Sequence, residues 1–165
     1  KSCLAKLIVG DLSPTVGTVR KSGAVTFLPQ RGIPQPISVE DYLAFRYSWT
    51  VFGEKLLTGI NRATLCSNLS GGQWMRVRLA STIDDQFLIL DEPTNDLDLE
   101  AKTILKDFLA EYKHGVLLIS HDRELLALCD AVLELSNQGL KKYGGGWQSY
   151  EKEKERERLQ KEKEK

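Results

Sequence analysis

Phe87-Leu88-Ile89-Leu90-Asp91-Glu92 is an apolar run that ends in two adjacent carboxylates. Four large apolar residues in succession, bounded by polar ones, read as a strand buried on both faces, as in a parallel sheet. Where such a strand ends in a nucleotide-hydrolysing fold, the first acid can hold a divalent cation and the second can polarise an attacking water. Taken alone, two acids at a strand end serve equally well as solvated loop residues. The flanking sequence has to decide between these readings.

Further branched apolar runs at residues 24–28, 115–120 and 131–135 also read as strands, and the stretches between them mostly carry helical periodicity. This alternation predicts an α/β domain with a mostly parallel sheet. After Asp98, residues Ala101, Ile104, Leu105, Phe108, Leu109 and Tyr112 recur at steps of three and four and form one apolar stripe, the face of a helix expected to pack on the sheet. Between Gln30 and Leu69 the pattern changes to a helical insert. Ser38 is placed to cap a helix that Val39, Tyr42, Leu43 and Phe45 would pack.

Upstream of the two acids stands Leu69-Ser70-Gly71-Gly72-Gln73, leading into a helical stretch. A serine and two glycines at a helix start expose backbone N–H groups, without Cβ atoms in the way, at the positive end of the helix dipole. That arrangement suits an anion such as phosphate. Downstream, Leu117-Leu118-Ile119-Ser120-His121-Asp122 is a strand that delivers a histidine to the same sheet edge. A lone histidine there is more often structural than a γ-phosphate sensor.

Composition bounds the function classes. The chain has 165 residues, 41% of them hydrophobic and 28% charged, enough for one core but not for two ordinary domains. Lys plus Arg and Asp plus Glu are balanced at 23 each, so net charge argues for neither a nucleic-acid nor an acidic partner. Cys3, Cys66 and Cys129 lie far apart and lack metal or redox spacing, which points to reduced, buried or half-buried thiols in a reducing, cytoplasmic setting. No apolar run reaches the length of about 18 residues needed to span a bilayer, and no secretory leader opens the chain. If this domain works at a membrane, another polypeptide or a segment outside the sequence takes it there.

In order and spacing, Gln30 after a strand, Leu69 to Gln73, Asp91-Glu92-Pro93-Thr94 and then His121 resemble the ABC ATPases, over residues 1 to about 150. The resemblance implies a P-loop NTPase-type ABC cassette with a helical subdomain, about 38–82, that carries the signature motif. Its cofactors would be ATP and Mg²⁺. Glu92 would be the general base, Asp91 a metal ligand, Gln30 a contact to both Mg²⁺ and the attacking water, and His121 the switch histidine. Ser70, Gly71, Gly72 and Gln73 would form the signature motif, and Asn95 to Asp98 the D-loop, with Asp98 at the nucleotide. In this frame Lys1-Ser2 match the end of G-x-x-x-x-G-K-[ST], with Leu4, Leu7 and Ile8 continuing as a helix. Lys1 would then meet the β- and γ-phosphates and Ser2 the Mg²⁺. The chain is accordingly expected to begin inside its phosphate loop, and the short helical insert marks a place for an omission near residues 46–49.

Within the superfamily, Glu92-Pro93-Thr94-Asn95-Asp96-Leu97-Asp98 is similar to the E-P-T-N-x-L-D of ABC-F proteins. Ser120-His121-Asp122-Arg123 with Leu125 and Leu126, and Tyr143-Gly144-Gly145-Gly146-Trp147-Gln148-Ser149-Tyr150, resemble the same branch. Asp96 in place of the commoner histidine and Gln73 in place of glutamate depart from it. Residues 151–165 are almost wholly Glu, Lys and Arg, with Leu159 the one aliphatic. They read as the start of a charged linker helix, a solvated spacer of marginal stability in which Glu157 with Lys161 gains the favourable i+4 arrangement.

The resemblance implies a second ABC cassette as partner, closing with this one over two ATP molecules; the tail suggests the first of the two, although an extension after the second would look alike. It also implies action at the ribosome beside tRNA. The rival readings are the nucleotide-binding subunit of a membrane transporter, a chromosome ATPase of the SMC or Rad50 kind, and a regulatory ATP-binding scaffold without turnover. Asn95 and the tail disfavour the first, His121 and the short insert the second, and intact Asp91, Glu92 and His121 the third.

Overall fold

A computed structural model describes residues 1–44, 50–82 and 86–163. These residues group into two compact units, Lys1–Ser120 and His121–Lys165. Phe45 and the 46–49 stretch lie outside the described residues.

The first unit is built on a parallel sheet of β1 (Val25–Leu28), β2 (Phe87–Asp91) and β3 (Val116–Ile119), with β2 in the middle. Leu28 pairs with Leu90, and Asp91 with Ile119, so the carboxyl ends of all three strands finish together. Leu88, Ile89 and Leu90 are each no more than 1% exposed, as a central strand flanked on both sides requires. Helix α1 (Ser2–Val9) packs against β1 and β2 through buried Ala5 and ends at Gly10, whose φ of 101° supplies the left-handed cap.

Between β1 and β2 the described residues form helices within the first unit. Helix α2 (Val39–Leu43) is capped by Ser38, whose hydroxyl accepts from the Asp41 N–H at 3.0 Å, and buries Val39 and Leu43. Helix α3 (Val51–Leu57) is capped by Thr50 in the same way. Helix α4 (Gly71–Thr82) packs against α2, α3 and β1 and is the most deeply set of the helices, burying Trp74, Met75, Val77, Arg78, Leu79, Ala80 and Thr82. Arg76 fixes it to α3 by donating to the carbonyls of Leu56 and Thr58, each at 2.7 Å.

Helix α5 (Leu99–Glu111) carries the predicted stripe. Ala101 and Leu105 are buried, Phe108 stacks on Phe52 of α3 with ring centroids 4.1 Å apart, and the Tyr112 hydroxyl donates to the Gln86 carbonyl just before β2.

In the second unit, a short helix α6 (Arg123–Leu126) leads to an antiparallel hairpin of β4 (Ala131–Ser136) and β5 (Gly139–Gly144), followed by α7 (Gly146–Lys163). The 131–135 run is therefore a strand, as its residues predict, but in a hairpin rather than in the parallel sheet. Its partner β5 is too polar to announce itself by pattern. Helix α7 begins before the charged run, and Trp147 and Tyr150 lie within 5.2 Å of one another, the latter edge-on to Tyr143 at 5.0 Å. Glu157 pairs with Lys141 of β5 at 2.8 Å and with Lys154 at 3.2 Å, not with Lys161, because the hairpin offers it a nearer cation. Lys154 also reaches Glu134 of β4 at 2.9 Å. Marginal helix propensity is thus supplemented by cross-element ion pairs. Cys66 is buried and Cys129 half-buried as expected, whereas Cys3 is exposed.

Candidate functional site

Because β1, β2 and β3 end in register, three of the sequence-derived site positions fall at one sheet edge. Asp91 closes β2 and is 2% exposed; Glu92 follows it at 8%; Gln30 lies just beyond the end of β1 and is exposed. The Glu92 N–H donates to the Ile119 carbonyl at 2.7 Å, which carries the β2–β3 ladder one residue past the strand. Glu92 then takes φ of 49°, a left-handed conformation that a non-glycine residue holds at a cost of about 1–2 kcal/mol. Asp96, farther along the same loop, does so too, with φ of 66°. At 2% and 8% exposure neither carboxylate is a solvated loop acid, and the backbone is left-handed at the second of them and again at Asp96. Buried Thr94 and Leu97 hold the turn, and Asp98 ends it by capping α5, accepting from the Ala101 N–H at 2.8 Å.

The Ser70 to Gln73 segment forms a reciprocal capping box. The Gln73 N–H donates to the Ser70 hydroxyl at 3.2 Å, and the Ser70 N–H donates to the Gln73 side-chain oxygen at 3.0 Å. This satisfies two end groups of α4 while leaving Ser70 and Gly71 exposed. Gly72 sits against the strained loop, where a Cβ on it would meet the Asp96 carbonyl oxygen at 2.6 Å. The helix start and the β2–α5 loop are therefore one packed element, a relation that spacing along the sequence does not reveal.

Lys1 and Ser2 stand at the amino end of α1, with the carbonyl of Lys1 accepting from the Leu4 N–H at 3.0 Å. His121 is exposed and opens the second unit directly after buried Ser120. Among the described residues no cluster of three or more His, Cys, Asp and Glu side chains could hold a metal by itself. The Asp91 carboxylate, Ser2 hydroxyl and Gln30 amide are nevertheless hard oxygen donors of the kind Mg²⁺ takes when phosphate oxygens complete its shell. The donor chemistry fits.

Two residues with no assigned role in the sequence reading reach this site. Trp74 donates through Nε1 to the Gly32 carbonyl at 2.8 Å, and Arg78 donates to the carbonyls of Pro29 and of Gln30, the latter at 3.5 Å. Their spacing along α4 puts both on one face, a signal the sequence carried.

Comparison with known proteins bears on the family and the fold. The sequence profile of the ABC transporter family matches residues 1–95. The ATP-binding protein YdiF of Bacillus subtilis is 34% identical over 164 residues, covering 91% of this chain and 26% of its own length. ATP-binding cassette sub-family F member 2 of Mus musculus is 32% identical over 168 residues, covering 92% of this chain and 27% of its own length. The chain thus spans about a quarter of these curated relatives. Among solved structures, one described as a model of ribosome-bound archaeal Pelota and ABCE1 superimposes with a TM-score of 0.70 at 24% identity, over 87% of this chain and 28% of that one, which is a likeness of fold. No described helix is long and apolar enough to cross a membrane.

Proposed function

The chain belongs to the ABC transporter family, and from that premise we propose that it is one ATP-hydrolysing cassette of an ABC-F type protein that acts on the ribosome. The observation that carries the hydrolytic reading is the pair of buried carboxylates, Asp91 and Glu92, at the end of the central parallel strand, with Glu92 held in a strained left-handed conformation.

In this reading Glu92 accepts a proton from the water that attacks the γ-phosphate, and its rigid backbone presents the carboxylate without reorganisation. Asp91, Ser2 and Gln30 would hold Mg²⁺, which when bound neutralises charge on the β- and γ-phosphates. Lys1 adds a fixed positive charge on the same oxygens, and His121 senses the γ-phosphate. Gly71 and Gly72 present backbone N–H groups to the nucleotide of a second cassette, at a helix start that Ser70 and Gln73 hold in place by capping each other. Asp98 belongs to the loop that faces that partner. ATP then holds two cassettes together, and hydrolysis releases them.

The ribosomal assignment is supported by the F-family names among the relatives and by the Glu92 to Asp98 and Tyr143 to Tyr150 segments. Full-length Glu92→Gln protein, which keeps a hydrogen-bonding side chain but loses the base, is expected to bind ATP, stay closed and co-sediment with ribosomes in a gradient only when ATP is present. Migration with membranes or alone would overturn the ribosomal role, and unchanged phosphate release would overturn the role of Glu92.

A further inference from the structure

Arg78 is a buried cation, 5% exposed, in the middle of α4. Among the described residues no carboxylate neutralises it, and burial lowers its proton affinity. A guanidinium is rarely kept in such a place without a partner. Its donors go instead to the backbone carbonyls of Pro29 and Gln30, with the Met75 sulfur 4.0 Å away. Four residues earlier on the same helix, Trp74 donates to the Gly32 carbonyl. The fit is close enough that a Cβ on Gly32 would meet Arg78 Nε at 2.5 Å.

The segment these bonds hold is exposed at Gln30 and Arg31. A cavity of about 450 Å³ adjoins it, lined in part by Leu28, Gly32, Tyr42, Trp74, Arg78 and Thr82. Three hydrogen bonds from α4 cross to this segment. The amino end of α4 carries Ser70 and the two glycines, and Arg76 fixes α4 to α3.

We propose that Arg78, assisted by Trp74, is a positioning residue that ties the backbone of residues 29–32 to α4, so that Gln30 is set at the reaction centre by the helix whose other end meets nucleotide. This rests on the hydrolytic reading above and adds to it a route from the Ser70 segment to Gln30. Arg78 touches no substrate. It acts through Gln30, so its removal should impair turnover and leave ATP affinity nearly unchanged.

The test is a double-mutant cycle on the full-length protein, with kcat and KM for MgATP measured for Arg78→Met, Gln30→Ala and the pair. Misplacing a reacting group by about an ångström costs roughly a hundredfold in rate. Arg78→Met is accordingly expected to lower kcat about ten- to a hundredfold with KM changed less than about twofold, and to have little further effect once Gln30 is alanine. Arg78→Lys, with fewer donors in a different geometry, should restore only part of the rate. Should Arg78→Met not fold, Trp74→Phe removes a single donor while keeping the ring against Tyr42, 4.9 Å away, and is read in the same cycle. Losses that multiply in the Gln30→Ala background, or a rise in KM with kcat intact, would overturn the proposal while leaving the ATPase reading in place. A wild-type protein that releases no phosphate would refute that reading and the role of Arg78 with it.

Discussion

Gly71 and Gly72 are neighbours in sequence and share the same helix start, yet the structure assigns them different tolerances. A Cβ added at Gly71 would find its nearest atom, the Asp96 Cβ, at 3.7 Å, an ordinary contact. At Gly72 it would meet the Asp96 carbonyl oxygen at 2.6 Å, where 3.4 Å is the near limit of ordinary contact, so α4 and the loop must part by about 0.8 Å. That oxygen belongs to a residue already at φ of 66°, so the loop has little freedom to yield. Both alanine variants gain the same helix propensity, up to about 1 kcal/mol, which cancels when the two are compared. The remaining difference is overpacking of about 1–3 kcal/mol. Taking about 2 kcal/mol, Gly72→Ala should melt roughly 8 °C below Gly71→Ala in a unit of the size of Lys1–Ser120. Scanning calorimetry of the two full-length variants measures this directly. Melting within about a degree of each other would show that the helix start does not rest on the Asp96 carbonyl, and the packed element described above would have to be abandoned.

Asp98→Ala removes the α5 cap and should cost about 1 kcal/mol, seen in chemical denaturation, with Asp98→Asn close to wild type. Leu105 is fully buried in α5, so Leu105→Ala should cost about 2–5 kcal/mol by the same measurement. Maleimide should modify Cys3 fast and Cys66 and Cys129 slowly near pH 7.5, because the first is exposed and burial pushes the other two thiols up; equal rates by mass spectrometry would contradict this. The Glu134 carboxyl is held below its ordinary value of 4.5, chiefly by the hydrogen bond from Lys154 and then by that from Tyr143. Its contribution to packing α7 on the hairpin is therefore complete above the ordinary value and fades as pH falls through the lowered one. Lys154→Met should raise the Glu134 titration midpoint in carboxyl NMR, and an unmoved midpoint would remove Lys154 as the cause.

The parts of the fold that follow a local period were legible from residues alone. The 87–90 run, the stripe from Ala101 to Tyr112 and the cap at Ser38 each state their element within a few residues, and the ABC resemblance that tied them together is matched by the family profile over residues 1–95. Polar β5 was not legible, because a strand paired on one side and largely exposed needs no hydrophobic pattern. The allocation of 131–135 to a hairpin depends on that unseen partner. At the site, the two carboxylates could be read because buried strands and acids contrast sharply. The capping box could have been read from Ser70 and Gln73, whereas the contact of Gly72 with Asp96 could not, since nothing local connects residues so far apart in sequence. The partners of Glu157 were missed for a similar reason: helical spacing counts only neighbours on the helix, and the hairpin supplied Lys141.

Gly145 and Gly146 both hold positive φ, 79° and 73°, at the root of α7, where a Cβ on Gly146 would strike the Cys129 carbonyl oxygen at 2.7 Å. The 18-residue helix that leaves this corner is about 27 Å long. It is in effect a boom stayed to the hairpin, since Lys154 and Glu157 tie it to Glu134 and Lys141 partway along. A swing of about 10° at the two glycines would move the tip by about 5 Å relative to the β4–β5 hairpin, and it would have to break both of those pairs. The direction of the helix from Gly146 to Lys163 is thus set by two residues that have no side chains and by the ion pairs that stay it.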